Sequence, residues 1–345
     1  MPVSGTMRKD PKSVSAGFSL LEMMISIAIL VSVAGVVMSG LLQTTHTEGT
    51  VQNRTEMHAG VRSATELMQQ EVGEAGRVAL PNIANIQLTS AVTAAGSSSP
   101  SVTSGATAGM FVGEYLVVDT GAGYPNGIST ATASSFCNPT PCSNQETVQV
   151  TAISGDTFTA TFNLTHNSGA PVAAHGGFGS GVIPVSASPY SWPNGSDGTH
   201  LKLYGDINGN GNMVYVEYIC DYAGSGNLYR SVTPYGAGTI VAKQILLPNL
   251  VSTGNPGGTA CFVYQERPIG CSYTSTPCFV VDVAVTLTVQ TQLPDPSTGL
   301  YQQETKALLN VSPRNVFDAY GLSTLNNNRV QPTPSTVTAL LSQTP

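Results

Sequence analysis

The stretch GFSLLEMMISIAILVSVAGVVMSGLL, residues 17–42, decides how the rest of the chain is read. From Phe18 to Leu42 it runs for 25 residues (42 − 18 + 1) with one charged side chain, Glu22. As an α-helix this run is about 37 Å long, enough to span a bilayer. A lone carboxylate in such a run costs about 2.5–3.5 kcal/mol at mid-membrane and less near its edge, so an acid kept there reads as functional. A short polar leader with Arg8, Lys9 and Lys12 precedes it. The apolar core of a secretory signal is only about 7–15 residues, shorter than this run. A plain membrane anchor accounts for the length but for neither Glu22 nor the Gly17–Phe18 junction. Ala28, Ser32, Gly35 and Ser39 are spaced 4, 3 and 4 apart and so share one helix face, where small residues allow close helix packing.

The segment GFSLLEMMISIAIL resembles the N-terminus of type IV prepilins and type II secretion pseudopilins, with Gly17, Phe18 and Glu22 on the pattern's glycine, phenylalanine and fifth-position glutamate. The resemblance implies a leader, residues 1–17, cut after Gly17 by prepilin peptidase, and N-methylation of Phe18. It also implies that Glu22 is an assembly contact, pairing with the α-amino group of a neighbouring subunit's Phe18. The partners implied are other pilin subunits, met through the N-terminal helix, and the inner-membrane assembly platform. The implied location is a single pass in the bacterial inner membrane with the head in the periplasm, then the pilus at the cell surface. The segment TELMQQEVGEAGRVALP, residues 65–81, is similar to the helix end of PilW-type minor pilins and J-type pseudopilins, with Ala75 and Gly76 on the Ala-Gly pair. The family's acidic-arginine pair is imperfect here. The resemblance implies a PilW-like minor pilin without catalysis. Its rivals are a J-type pseudopilin, for which 345 − 17 = 328 mature residues is long, and a membrane-anchored adhesin whose pilin-like start only serves export.

Composition sets bounds on partners. Net charge is −7 for the whole chain. Without residues 1–17 it is 10 basic against 19 acidic, or −9. An acidic chain with no basic cluster argues against a nucleic-acid surface. Charged residues are 10% and Gly alone contributes 36 positions, the composition of a β-rich exported protein with many turns. Cysteines at 137, 142, 220, 261, 271 and 278 form an even set, which favours disulfides in an exported domain. Fifteen pairings are open. The sequence-local pairs Cys137–Cys142 and Cys271–Cys278 are favoured, leaving Cys220–Cys261. A zinc site is disfavoured by the lack of a CxxC pair and of a nearby histidine.

The expected fold is α+β, a lollipop with a long helix packed on an antiparallel sheet. The helix is expected over 18–80, its membrane-spanning part over 18–42. Beyond that, Val51, Met57 or His58, Val61, Ala64, Leu67 or Met68, and Val72 recur at helical spacing, with Pro81 closing the element. Residues 81–107 read as a loop or linker, 108–176 as an inserted β module, 177–320 as the sheet head, and 321–345 as a flexible tail. In the head, strands are expected over His200–Tyr204, Met213–Tyr222, Leu228–Val232, Ile240–Leu247 and Phe279–Thr291. The last alternates Phe279, Val281, Val283, Val285, Leu287 and Val289 against polar residues, so it should floor the core against the helix. Lys306–Val311 reads as another strand, and Ser312–Asn315 resembles the closing strand of PilW-type proteins.

One motif has metal-ligand spacing. Asp206, Asn208, Asn210, Gly211, Asn212 and Glu217 fit the calcium-loop pattern D-x-N-x-N-G-x5-E. The flanks read as strands instead of helices, and only two carboxylates would face the ion. The competing reading is a Gly/Asn hairpin turn, which the same residues supply. No cofactor is expected beyond that weak Ca2+ option. No nucleophile elbow, P-loop or histidine pair at ligand spacing occurs, so an enzyme is not expected.

Overall fold

The computed structural model describes residues 17, 19–93, 96–119, 145–273, 277–323 and 330–345. The leader up to residue 16, Phe18, Cys137 and Cys142 lie outside the described residues. Helix α1, Leu20–Glu74, runs 55 residues without a proline. The helix ends six residues short of the expected boundary at 80. Ala75 turns extended (φ −56°, ψ 142°) and Gly76 takes φ +84°, a left-handed geometry that glycine accepts without strain.

After the helix the chain makes fourteen described strands. They are β1 (Gly96–Ser98), β2 (Tyr115–Asp119), β3 (Gln145–Ser154), β4 (Thr157–Phe162), β5 (Val172–Ala174), β6 (Gly177–Phe178) and β7 (His200–Gly205). Then follow β8 (Val214–Asp221), β9 (Asn227–Pro234), β10 (Gln244–Leu247), β11 (Phe262–Arg267), β12 (Phe279–Gln290), β13 (Gln303–Val311) and β14 (Val330–Gln331). Two short helices close the chain, α2 (Arg314–Ser323) and α3 (Ser335–Leu341). The architecture is α+β with a sheet-rich head, as expected.

The head holds two antiparallel sheets, ordered β10-β9-β8-β7 and β11-β12-β13. Cys220 at the end of β8 and Cys261 just before β11 join them by a disulfide. Between the sheets and the second half of α1 lies the main core. Val61, Ala64, Met68 and Val72 from the helix meet Val216, Tyr218, Val283, Val285 and Leu287. The alternation of β12 is realised: all six residues of its apolar face are buried. Val51 is the exception on the helix stripe and stands exposed.

The inserted module is a five-stranded antiparallel sheet, β1-β4-β3-β2-β5, with its own core around Leu116, Val148, Phe158 and Phe162. Here the boundaries need correction. Residues 81–107 are not a linker, because β1 pairs with β4 and Leu88, Val92, Val102 and Ala106 are buried in the module core. Their apolar residues stand singly among Ser, Thr and Gly, too sparse to show a strand period, yet each reaches the core. The tail 321–345 also contains ordered structure: β14 pairs in parallel with β6, and α3 buries Val337, Leu340 and Leu341. Three apolar side chains spaced for one helix face offset the polar composition around them. Ser312–Asn315 leads into α2 instead of forming a closing strand, since Pro313 has no N–H for a ladder and its carbonyl accepts from Phe317.

Candidate functional site

The first half of α1 has no partner among the described residues. Leu20 is 79% and Val36 72% exposed, and every residue from Ser19 to Glu48 is exposed. Among the described residues, α1 is the one helix long and apolar enough to cross a membrane. Its hydroxyl groups need no outside partner: Ser26 donates to the Glu22 carbonyl (2.7 Å), Ser32 to Ala28 (2.8 Å) and Ser39 to Val36 (2.8 Å). That back-bonding lets a polar side chain sit in an apolar medium. Ala28, Ser32, Gly35 and Ser39 form an exposed stripe, and nothing lies within 4 Å of where a Cβ on Gly35 would stand.

Glu22 occupies the first turn, its backbone N–H bonded to the Ser19 carbonyl at 3.0 Å. Ser19 supplies no side-chain cap, and the positive end of the helix dipole lies beside this carboxylate. Gly17 is exposed and outside the helix.

Farther along, the same helix is fastened to the head. The buried Glu71 carboxylate accepts from the Tyr218 hydroxyl and from the Arg230 guanidinium, whose Nε lies 3.2 Å from Oε2. Burial opposes the charge of Arg230, but bonding to Glu71 raises its pKa overall. Burial, then the neighbouring Glu71 charge, hold the Tyr218 hydroxyl far above the usual phenol range, so it stays a donor. Sequence reasoning missed this cluster. Its signal was present: Glu71 falls on the apolar stripe of Ala64, Met68 and Val72, one acid where the pattern asks for an apolar residue.

Asp206 sits at the hairpin between β7 and β8, packed on the end of α1. Its carboxylate accepts from the N–H groups of Asn210 (3.0 Å) and Gly211 (3.1 Å), with Arg77 Nε at 3.8 Å. Gly211 approaches Asn82 so closely that a Cβ would stand 2.8 Å from its backbone nitrogen. Glu217 is not brought to this loop. Pairing of Gly205 with Val214 closes the hairpin early and sets Glu217 opposite Lys202. There it accepts from the Tyr215 hydroxyl at 2.9 Å, with Lys202 Nζ at 3.8 Å. The Asp206 carboxylate thus already faces two amides and a guanidinium, and the twelve-residue loop does not converge on one point.

The structure has two bridges among the described cysteines, Cys220–Cys261 and Cys271–Cys278. The module is held to the head at a third apolar cluster, where Phe111 meets Phe178, Tyr204, Tyr215 and the buried side chains of α3. Gln331 on β14 ties it further, accepting from Tyr115 N (2.9 Å) and donating to the carbonyls of Tyr115 (2.8 Å) and His175 (3.0 Å).

Residues 12–38 match the prokaryotic N-terminal methylation motif. The methylation motif covers the exposed start of α1, Glu22 and the Gly17 junction, and it supports a pilin or pseudopilin type of chain anchored by its N-terminal helix. No curated protein and no solved structure matches the chain.

Proposed function

We propose that the chain is a PilW-like minor pilin of a type IV pilus, a structural subunit without catalytic activity. In this reading prepilin peptidase cuts between Gly17 and Phe18 and Phe18 is N-methylated. The subunit waits in the inner membrane with its head in the periplasm, then joins or primes the filament through α1. The observation that carries the reading is one continuous helix: bare, apolar and acid-bearing over its first half, and locked into a β head over its second. Glu22 is poorly satisfied in lipid and gains a partner when a neighbouring α-amino group replaces the lipid. Ala28, Ser32, Gly35 and Ser39 serve as the face along which helices pack.

The inserted module favours a pilus over the J-type role in secretion, because it enlarges the outward head without touching the described first half of α1. Glu22→Ala is the test. A pilin variant remains membrane-inserted and processed but is absent from sheared filaments. A membrane-anchored adhesin keeps its binding with the same substitution, and that result overturns the reading.

A further inference from the structure

The bridge Cys271–Cys278 has an uncommon neighbour. Glu266, on β11 with its backbone paired to Val280 of β12, is buried, as are both cysteines. A carboxylate oxygen of Glu266 and the two sulfurs lie within 4.8 Å of one another. Oε1 accepts from the Val185 N–H at 2.7 Å, while Oε2 has no hydrogen-bond partner among the described residues. A buried carboxylate oxygen without a donor is costly, and such exceptions call for an explanation.

Among the described residues, the charged and titratable neighbours on β11 and β12 do not supply one. Tyr264, two residues back on the same face, donates to the His200 carbonyl at 2.7 Å. Arg267 and Asp282 lie on the opposite face, both bonded to the Gln265 amide in its consistent orientation (2.9 and 3.0 Å). The donor within reach of this carboxylate is a thiol of the reduced pair, which a disulfide cannot provide. Cleaving the S–S bond separates the sulfurs and frees two S–H groups next to this carboxylate.

We propose that Cys271, Cys278 and Glu266 form a proton-coupled redox site that exchanges with external dithiols, and that the bridge is more than an inert staple. Both sulfurs are buried, so the exchange runs by thiolate attack through a mixed disulfide on local opening of the site. In the oxidised form Glu266 holds its proton below about pH 7, because burial pushes its carboxyl up to about 7. In the reduced form it is a carboxylate accepting from a thiol. With an external dithiol as reductant, the disulfide plus carboxylic acid goes to two thiols plus carboxylate. The external pair becomes a disulfide and one proton is released, so electrons, atoms and charge balance.

The proton sets the test. An ordinary bridge and a dithiol each take up two protons on reduction, so their exchange constant is independent of pH below the thiol pKa of about 8.5. Here the constant for reduction rises with pH by up to about tenfold per unit as pH approaches about 7 and is flat above it. The processed full chain is equilibrated with dithiothreitol from both directions between pH 5 and 7.5, and alkylated peptides are counted by mass spectrometry. Cys220–Cys261 is the internal reference, surrounded by Tyr222, Leu250, Asn255 and Leu287 with no carboxylate lining its cavity. The expected result is a sloped profile for Cys271–Cys278, a flat one for Cys220–Cys261, and a flat one for both in Glu266→Gln. Should Glu266→Gln not fold, the contrast between the two bridges in the unsubstituted chain decides. A flat profile for both bridges, equal slopes in both, or a slope kept in Glu266→Gln overturns the proposal.

Discussion

Arg230→Met would leave the Glu71 carboxylate buried with the Tyr218 hydroxyl as its remaining side-chain partner. Glu71 is 4% exposed at its side chain and Arg230 26%. Removing one partner of a buried pair costs about 3–5 kcal/mol, because the surviving charge is uncompensated. Partial exposure of Arg230 and the retained tyrosine bond place this case near the lower end, about 3 kcal/mol. For a unit of this size each kcal/mol shifts Tm by about 2–4 °C, so Arg230→Met should lower Tm by about 6–12 °C. The assay is thermal unfolding of the processed chain in detergent micelles, followed by near-ultraviolet circular dichroism of the head. Removing all three polar groups together, as Glu71→Met, Tyr218→Phe and Arg230→Met, leaves nothing unsatisfied and should return Tm to within about 3 °C of the parent. The effects are therefore strongly non-additive. A drop below 2 °C for Arg230→Met, or simple additivity, would refute the claim that this cluster fastens the helix.

Three further outcomes are expected. Gly181→Ala places a Cβ 2.1 Å from the Gly76 Cα, backbone against backbone, so it should cost at least the 1–3 kcal/mol typical of overpacking; unchanged Tm would contradict that contact. Leu340→Ala, in a side chain 3% exposed, should cost about 2–5 kcal/mol and expose the module to limited proteolysis, whereas cleavage at the parental rate would deny α3 its fastening role. Glu114 is buried, and desolvation pushes its carboxyl up to about 8, the Phe111 amide working against that shift. Its folded pKa lies above the unfolded one, so the folded form binds more protons and stability falls as pH rises from about 4.5 to 8. Glu114→Gln should remove part of that slope, gaining on the parent by up to about 1.4 kcal/mol per pH unit over the window, as read from urea unfolding.

The parts of the fold that sequence made legible are those with a long period. α1 shows 25 nearly uncharged residues and then a helical stripe, and β12 alternates over twelve residues. Neither pattern depends on distant contacts. The stretch 85–107 was obscured because few apolar residues mark it, and helix α3 because its seven residues are too short to show a period; tertiary burial of Leu88, Val102 and Leu340 decides their state. The resemblance of Asp206–Glu217 to a cation loop reflects a shared local need. Both a metal loop and this hairpin use an aspartate to gather amide N–H groups and glycines to turn tightly. The distinction lay in strand register, which placed Glu217 beside Lys202. Glu71 was legible in principle, as an acid out of place on a buried stripe. Tyr218 and Arg230 were not, since they reach it from sequence separations of 147 and 159 residues.

The anchoring of α1 also makes it a lever. Thr50 reaches Asp295 at 3.4 Å and His58 pairs with Glu304, so the helix leaves the head near residue 50. From Glu48 back to Leu20 is 28 steps, an unsupported arm of about 42 Å at 1.5 Å per residue. A rotation of the head by 5° therefore swings the amino end by nearly 4 Å, more than a hydrogen bond's length. In the proposed assembly, keeping Glu22 within about 0.5 Å of its bonding position beside a neighbouring amine would require angular precision of about 0.7° at the pivot. The joint at Glu71 would then govern alignment as well as stability, and loosening it would blur the fit of the proposed contact at Glu22, 49 residues away (71 − 22 = 49).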